Sequence, residues 1–136
     1  MIPRRFPRMA LAAALVLGTG CLDSVVRTLG PDNDPQVVNT PEKFEFMATD
    51  LRNVNDRISW VWTNSAPKAA LRHDSFIHHG YGILTIRDAA GVLVDSTLLE
   101  LNLDTETKAG TPGPWTLELT LASARGRADI TLTPKP

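Results

Sequence analysis

One cysteine, Cys21, is all the thiol chemistry this 136-residue chain has. That excludes an internal disulfide, so the fold stands on its core alone. It also excludes any zinc site built from paired cysteines. Tyrosine occurs once and aromatic residues make up 6% of the chain, so aliphatic side chains carry the core, with three Trp and four Phe as anchors. No apolar run approaches the roughly 20 residues a membrane-crossing helix needs. There is no basic stripe, and the formal net charge of −1 gives no electrostatic footprint for nucleic acid. A GxSxG elbow and an HExxH pair are both missing. Repeats, heptads and low-complexity tracts are missing too.

What is present describes one globular domain. Apolar residues make up 43% and charged residues 21%, ordinary proportions for a folded chain of single-domain length. The charge is unevenly placed. Arg4, Arg5 and Arg8 lie in the first twenty residues, which hold no acid, so from residue 21 onward the balance is −1 less 3, or −4. A mildly acidic domain has little attraction for anionic lipid surfaces.

The N-terminus reads as an address. Residues 1–8, MIPRRFPR, are basic; residues 9–17, MALAAALVL, are unbroken apolar sequence; Gly18, Thr19 and Gly20 are small. This is the secretory signal layout. Extended to Leu22 the apolar stretch is fourteen residues, and as a helix it spans about 21 Å against the ~30 Å hydrocarbon core, too short for a permanent span. Leu17-Gly18-Thr19-Gly20-Cys21 resembles the lipobox of bacterial lipoproteins, with Leu17 four places before the cysteine. The resemblance implies a diacylglyceryl group on the Cys21 thiol, cleavage just before it and acylation of the new amine. It implies residence in the cell envelope, anchored in the outer or the cytoplasmic membrane and facing periplasm or exterior. Leu22 after the cysteine, where Asp is absent, resembles cargo sent on to an outer membrane. Two acyl chains at ~0.8 kcal/mol per buried CH₂ make such an anchor stable.

The expected organisation is a signal peptide over 1–20, a lipidated cysteine and linker over 21–41, and a β domain over 42–136. The linker expectation rests on three prolines, a Gly-Pro pair and Asp32-Asn33-Asp34, which break helix and ladder alike. As a flexible coil, twenty such residues extend about 25 Å. From Glu42 on, apolar residues recur with period two. Phe44, Phe46 and Ala48 form one inward set, and after an Asx-rich turn Ile58, Trp60 and Trp62 form another. Strands follow at 81–88, 92–95 and 97–103, the last with Leu99, Leu101 and Leu103 on one face. Trp115, Leu117, Leu119 and Leu121 make the cleanest alternation. Ala124-Arg125-Gly126 then reads as a turn into Ala128, Ile130 and Leu132. About seven short strands without a helix predict an all-β fold, a single antiparallel β-sandwich that is Ig-like or jelly-roll-like. A small open barrel is the alternative. Phe44 with Phe46, Trp60-Val61-Trp62, the hairpin LTIRDAAGVLV and Gly113–Leu119 together resemble extracellular sandwich modules of the pre-peptidase C-terminal type. Such modules imply binding or stability rather than chemistry.

Candidate sites are few. His73, Asp74, His78 and His79, with Arg72 and Ser75, are expected in a loop, and a metal would need several of them to converge at ~2.0–2.3 Å. Adjacent His78 and His79 point to opposite faces if extended, so a solvated loop is the simpler reading. Asp50, Asn53, Asn55 and Asp56 are oxygen-rich enough for calcium, but Asx residues more commonly cap turns. Trp60, Trp62 and Trp115 share the inward phase of their strands, which favours core packing over a sugar platform. Glu100, Glu118 and Asp129 sit outward. The loop 104–114, DTETKAGTPGP, is polar and a place where recognition residues concentrate. The expectation is a non-catalytic, membrane-anchored envelope lipoprotein with no cofactor, held to membrane lipid through Cys21. Its sandwich would bind an envelope protein or surface polymer. A carbohydrate- or calcium-binding module is the alternative, and a small hydrolase or metal-handling protein comes last.

Overall fold

The period-two pattern builds seven strands around one core. A computed structural model describes residues 25–100 and 102–136, so the expected signal peptide over 1–20, Cys21 and Leu101 lie outside the described residues. The strands are β1 (Gln36–Thr40), β2 (Lys43–Asn64), β3 (Lys68–His73), β4 (Phe76–Arg87), β5 (Leu93–Leu98), β6 (Leu103–Glu106) and β7 (Gly113–Lys135). All pairings between them are antiparallel.

β7 is the spine. β2 pairs along one side of it, while β3 and then β4 pair along the other. All three tracks bend at the same level. Register shifts occur in β2 between Ala48 and Asp56 and in β4 between Ile77 and Tyr81. Asp50, Asn53, Ser123, Gly80 and Gly126 take positive φ there. A β-bulge adds a residue on one side and steepens the local bend. At Gly126 a Cβ would overlap the carbonyl of Phe76, so only glycine lets the two backbones approach at the crease. The fold is thus an antiparallel β-sandwich made by doubling long strands over. One layer holds β1, the first half of β2, the second half of β7, β3 and β6. The other holds the second half of β2, the first half of β7, β4 and β5.

Between the layers lie Phe44, Phe46, Ala48, Leu71, Leu84, Ile86, Leu117, Leu119, Ile130 and Leu132, all buried. Trp60, from the second half of β2, packs on Phe44 and Phe46 of the first half, with ring centroids 5.2 and 4.8 Å apart. Trp62 and Trp115 are cross-strand partners in a T-shaped pair at 6.3 Å. Their indole N–H groups donate to the carbonyls of Thr40 and Thr111, at 2.8 and 2.9 Å. Buried indoles need such an acceptor, and both have one.

Four expectations need correction. The Asx-rich turn expected between Ala48 and Ile58 is a bulged bend inside one continuous β2, because positive φ at Asp50 and Asn53 bends the strand without reversing it. The linker expected over 21–41 is sheet and anchored coil in its second half: β1 pairs with β2 from Gln36 to Thr40. The break expected near Ala124–Gly126 is a bend inside β7, because a single residue at each side of the bulge turns the strand without reversing it. The strand expected at 97–103 is divided, with β5 ending at Leu98, a turn at Leu99–Glu100, and β6 beginning at Leu103. Leu99 is buried as expected and Leu103 packs against the core.

Candidate functional site

The histidines do not share a loop. His73 ends β3 with its side chain facing inward, following Ala69 and Leu71 along the buried phase. Neither of its ring nitrogens meets a hydrogen-bonding partner among the described residues. Burial therefore holds its pKa below the ordinary histidine value and keeps it neutral. Asp74 lies in the short break between β3 and β4, where its carboxylate meets Arg127 at 3.3 Å. Ser75 is buried, its hydroxyl and the Asp129 backbone exchanging hydrogen bonds at 3.2 and 3.0 Å. Burial and the nearby Asp74 charge raise the pKa of the Asp129 carboxyl. His78 and His79 are exposed on β4. Among the described residues no three metal-ligating side chains come together. A shallow cavity of about 410 Å³ lies beside Arg72, His73, Asp74 and Asp104.

The Asx cluster is occupied by backbone. Asp56 accepts from the backbone N–H groups of Leu29 and Arg57, at 2.9 and 2.8 Å, and Asn55 accepts from Ser123 at 3.0 Å. Asn53 donates to the carbonyl of Val25 at 3.1 Å. These side chains shape the crease and fasten the incoming chain to it, the capping use of Asx residues. The polar stretch 104–114 is likewise structured. It contains all of β6 but Leu103, and a buried Thr107 whose hydroxyl accepts from Ala69 N–H at 3.1 Å, and Thr111 N–H donates to Asp88 at 2.8 Å. Asp88 also accepts from Ala90 and Val92, and these backbone bonds, Thr111's foremost, lower its pKa. Of the outward acids, Glu118 pairs with Arg57 at 2.8 Å, which lowers its pKa.

No sugar platform is built from indoles. Trp62 and Trp115 are fully buried, and Trp60 is half-buried between the layers. The exposed aromatics are instead Phe76, at 55%, and Tyr81, at 44%. Phe76 packs beside His78 with ring centroids 5.5 Å apart. The period-two reading starts this strand only at Tyr81, because the two bulges between Ile77 and Tyr81 break the alternation before it.

Two surfaces stand out. The first is β1, an edge strand whose five side chains are all exposed, among them Val37 and Val38. Among the described residues it pairs with β2 alone. Asn39 donates across to the backbone carbonyl of Val61, itself exposed, at 2.8 Å. The second is the crease rim. Residues 25–33 run along it, with Arg27 bridged in parallel to Val54 and a cleft of about 680 Å³ between Arg27, Asp32, Asp50 and Arg52. Two guanidinium groups and two carboxylates give this cleft mixed charge.

Comparison with known proteins adds little. No family model matches the chain, and no curated protein matches it. One solved structure aligned to it is CsCBM6-3 from Clostridium stercorarium in complex with cellobiose. That match has 12% identity and a TM-score of 0.35, covering 85% of this chain and 91% of the other. A likeness of that degree carries no inference about ligand or activity.

Proposed function

We propose that this chain is a membrane-anchored envelope lipoprotein whose β-sandwich is a non-catalytic interaction domain. The observation carrying the anchor is the order of parts in the sequence: three arginines, an apolar run, three small residues and then the chain's one cysteine. The described core draws on residues from Phe44 to Leu132, so it has no need of that thiol. In this reading Cys21 forms a thioether to a diacylglyceryl group, and membrane lipid is the first partner. The domain then works at a membrane face, in the periplasm or outside.

The interaction half of the proposal rests on β1. An exposed sheet edge offers unpaired backbone groups to an added strand, and Val37 and Val38, on opposite faces of β1, put one apolar side chain on each side of it. An envelope protein or surface polymer is the expected partner. The anchor is tested by growing producing cells with an alkyne-tagged fatty acid. The native chain is expected to take up label and sediment with membranes, and Cys21→Ser to do neither. An unlabelled native chain, or a labelled Cys21→Ser chain, overturns the reading.

A further inference from the structure

We infer that the crease rim of the sandwich is a lipid-contacting surface that rests on the bilayer to which Cys21 tethers the chain. The inference depends on the lipoprotein reading and adds an orientation to it. Its basis is where the folded domain begins. Arg27 N–H donates to the Asn53 carbonyl at 3.1 Å, and Asn55 N–H donates to the Arg27 carbonyl at 2.8 Å. Leu29 and Asn33 add bonds to Asp56 and to the carbonyls of Thr49 and Asp50. The chain is therefore fastened to the crease by residue 27, and Val25 is held there by Asn53. Four residue steps separate Cys21 from Val25, a fully extended reach of about 14 Å. A domain leashed that closely meets the headgroup region at a high effective concentration, so weak contacts suffice to dock it.

The contacts available fit an interface. Across the rim lie, in order, the incoming segment, β2 near Val54, β7 near Ala124 and β4 near Tyr81. At about 4.8 Å per strand this is roughly 14 Å wide. Exposed apolar groups mark both ends: Val25 and Val26, at 61% and 66%, at one, Phe76 and Tyr81 at the other. A tyrosine, apolar in body and polar at its tip, suits the boundary between headgroup and chain. Between them the cleft of Arg27, Asp32, Asp50 and Arg52 carries both signs of charge. Docking should therefore need no anionic lipid and change little with salt.

The test uses the native lipidated chain, beginning at residue 21, reconstituted into phosphatidylcholine vesicles. A nitroxide is placed at His79→Cys, on the rim, or at Glu42→Cys, at the far end of the sandwich. Collision with oxygen relative to a water-soluble nickel reagent is expected to be several-fold higher at position 79 than at 42. A Gly-Ser insertion between Ser24 and Val25 should reduce that contrast while leaving the chain vesicle-bound. So should Phe76→Ser combined with Tyr81→Ser. Equal accessibility at 79 and 42 in lipidated, vesicle-bound protein overturns the docking and leaves the lipoprotein reading intact. A chain that proves unlipidated by mass overturns both.

Discussion

Arg27 lies in parallel register with Val54, its N–H and carbonyl bonded to the two residues flanking that valine. Through this bridge the stretch expected to be a free linker becomes part of the sandwich. Composition misleads here. Asp32, Asn33 and Asp34 with Pro31 and Pro35 break regular structure, as expected, but what they form is a single 3₁₀ turn over Pro31–Asn33 clamped to β2. Asn33 is buried, its side-chain amide donating to two β2 carbonyls and its oxygen accepting from Gly30.

Replacing that clamp should be costly. Asn33→Ala removes the donor to the carbonyls of Thr49 and Asp50 and the acceptor for Gly30, and each such bond contributes about 0.5–1.5 kcal/mol net. Urea unfolding should show a lower midpoint with an unchanged slope. A midpoint equal to that of the native chain would mean residues 25–34 are not fastened to the domain.

The crease makes a second demand. Gly126→Ala places a methyl against the Phe76 carbonyl at φ 129°, a region essentially confined to glycine, where other residues cost on the order of 1–3 kcal/mol before any clash. Gly91, in the turn between β4 and β5, has φ 80° but open space around it, so Gly91→Ala should cost less. Thermal unfolding of the two variants should rank them in that order. Equal losses would contradict the close approach of β7 and β4.

His73 predicts acid sensitivity. The unfolded chain binds a proton near pH 6.5, whereas the buried imidazole takes it up only at lower pH. Stability is therefore full above 6.5 and falls as pH drops from there toward the lowered folded value. His73→Leu, isosteric enough for an apolar site beside Leu71, should flatten that part of the profile. Comparing melting temperatures between pH 7.5 and 5 checks this, and an unaltered slope in the variant would count against an unpartnered buried ring.

The tryptophans provide a fourth case. Trp62→Ala removes a fully buried indole and its bond to Thr40, so a loss of about 3–5 kcal/mol is expected. Native tryptophan emission should be blue-shifted and poorly quenched by acrylamide, since two of the three rings are fully buried. Ready quenching of all three would contradict the packing.

Much of the sandwich is legible in the sequence because burial there follows simple alternation. Phe44, Phe46 and Ala48, then Trp115, Leu117, Leu119 and Leu121, and Ala128, Ile130 and Leu132 are all inward and buried. Legibility fails where backbone geometry, not side-chain polarity, decides. Positive φ at Asp50, Asn53 and Ser123 turns expected chain reversals into bends of continuous strands. β1 hides because an edge strand with both faces wet has no apolar phase to detect. β3 and β6 hide because they are short, and β6 is polar. His73 reads as a loop residue for the same reason, because β3 gives no clear signal. The exposure of Phe76 and Tyr81 is not legible because bulges interrupt the pattern that sorts inside from outside.

The proposed function stands on lipid attachment at the one thiol of this chain, which would hold the sandwich at a membrane face. Intact-mass measurement of the protein purified from envelopes decides it. The expected species is a chain beginning at residue 21 with acyl mass on Cys21. A free thiol on a soluble cytosolic chain that still carries Arg4, Arg5 and Arg8 would contradict it.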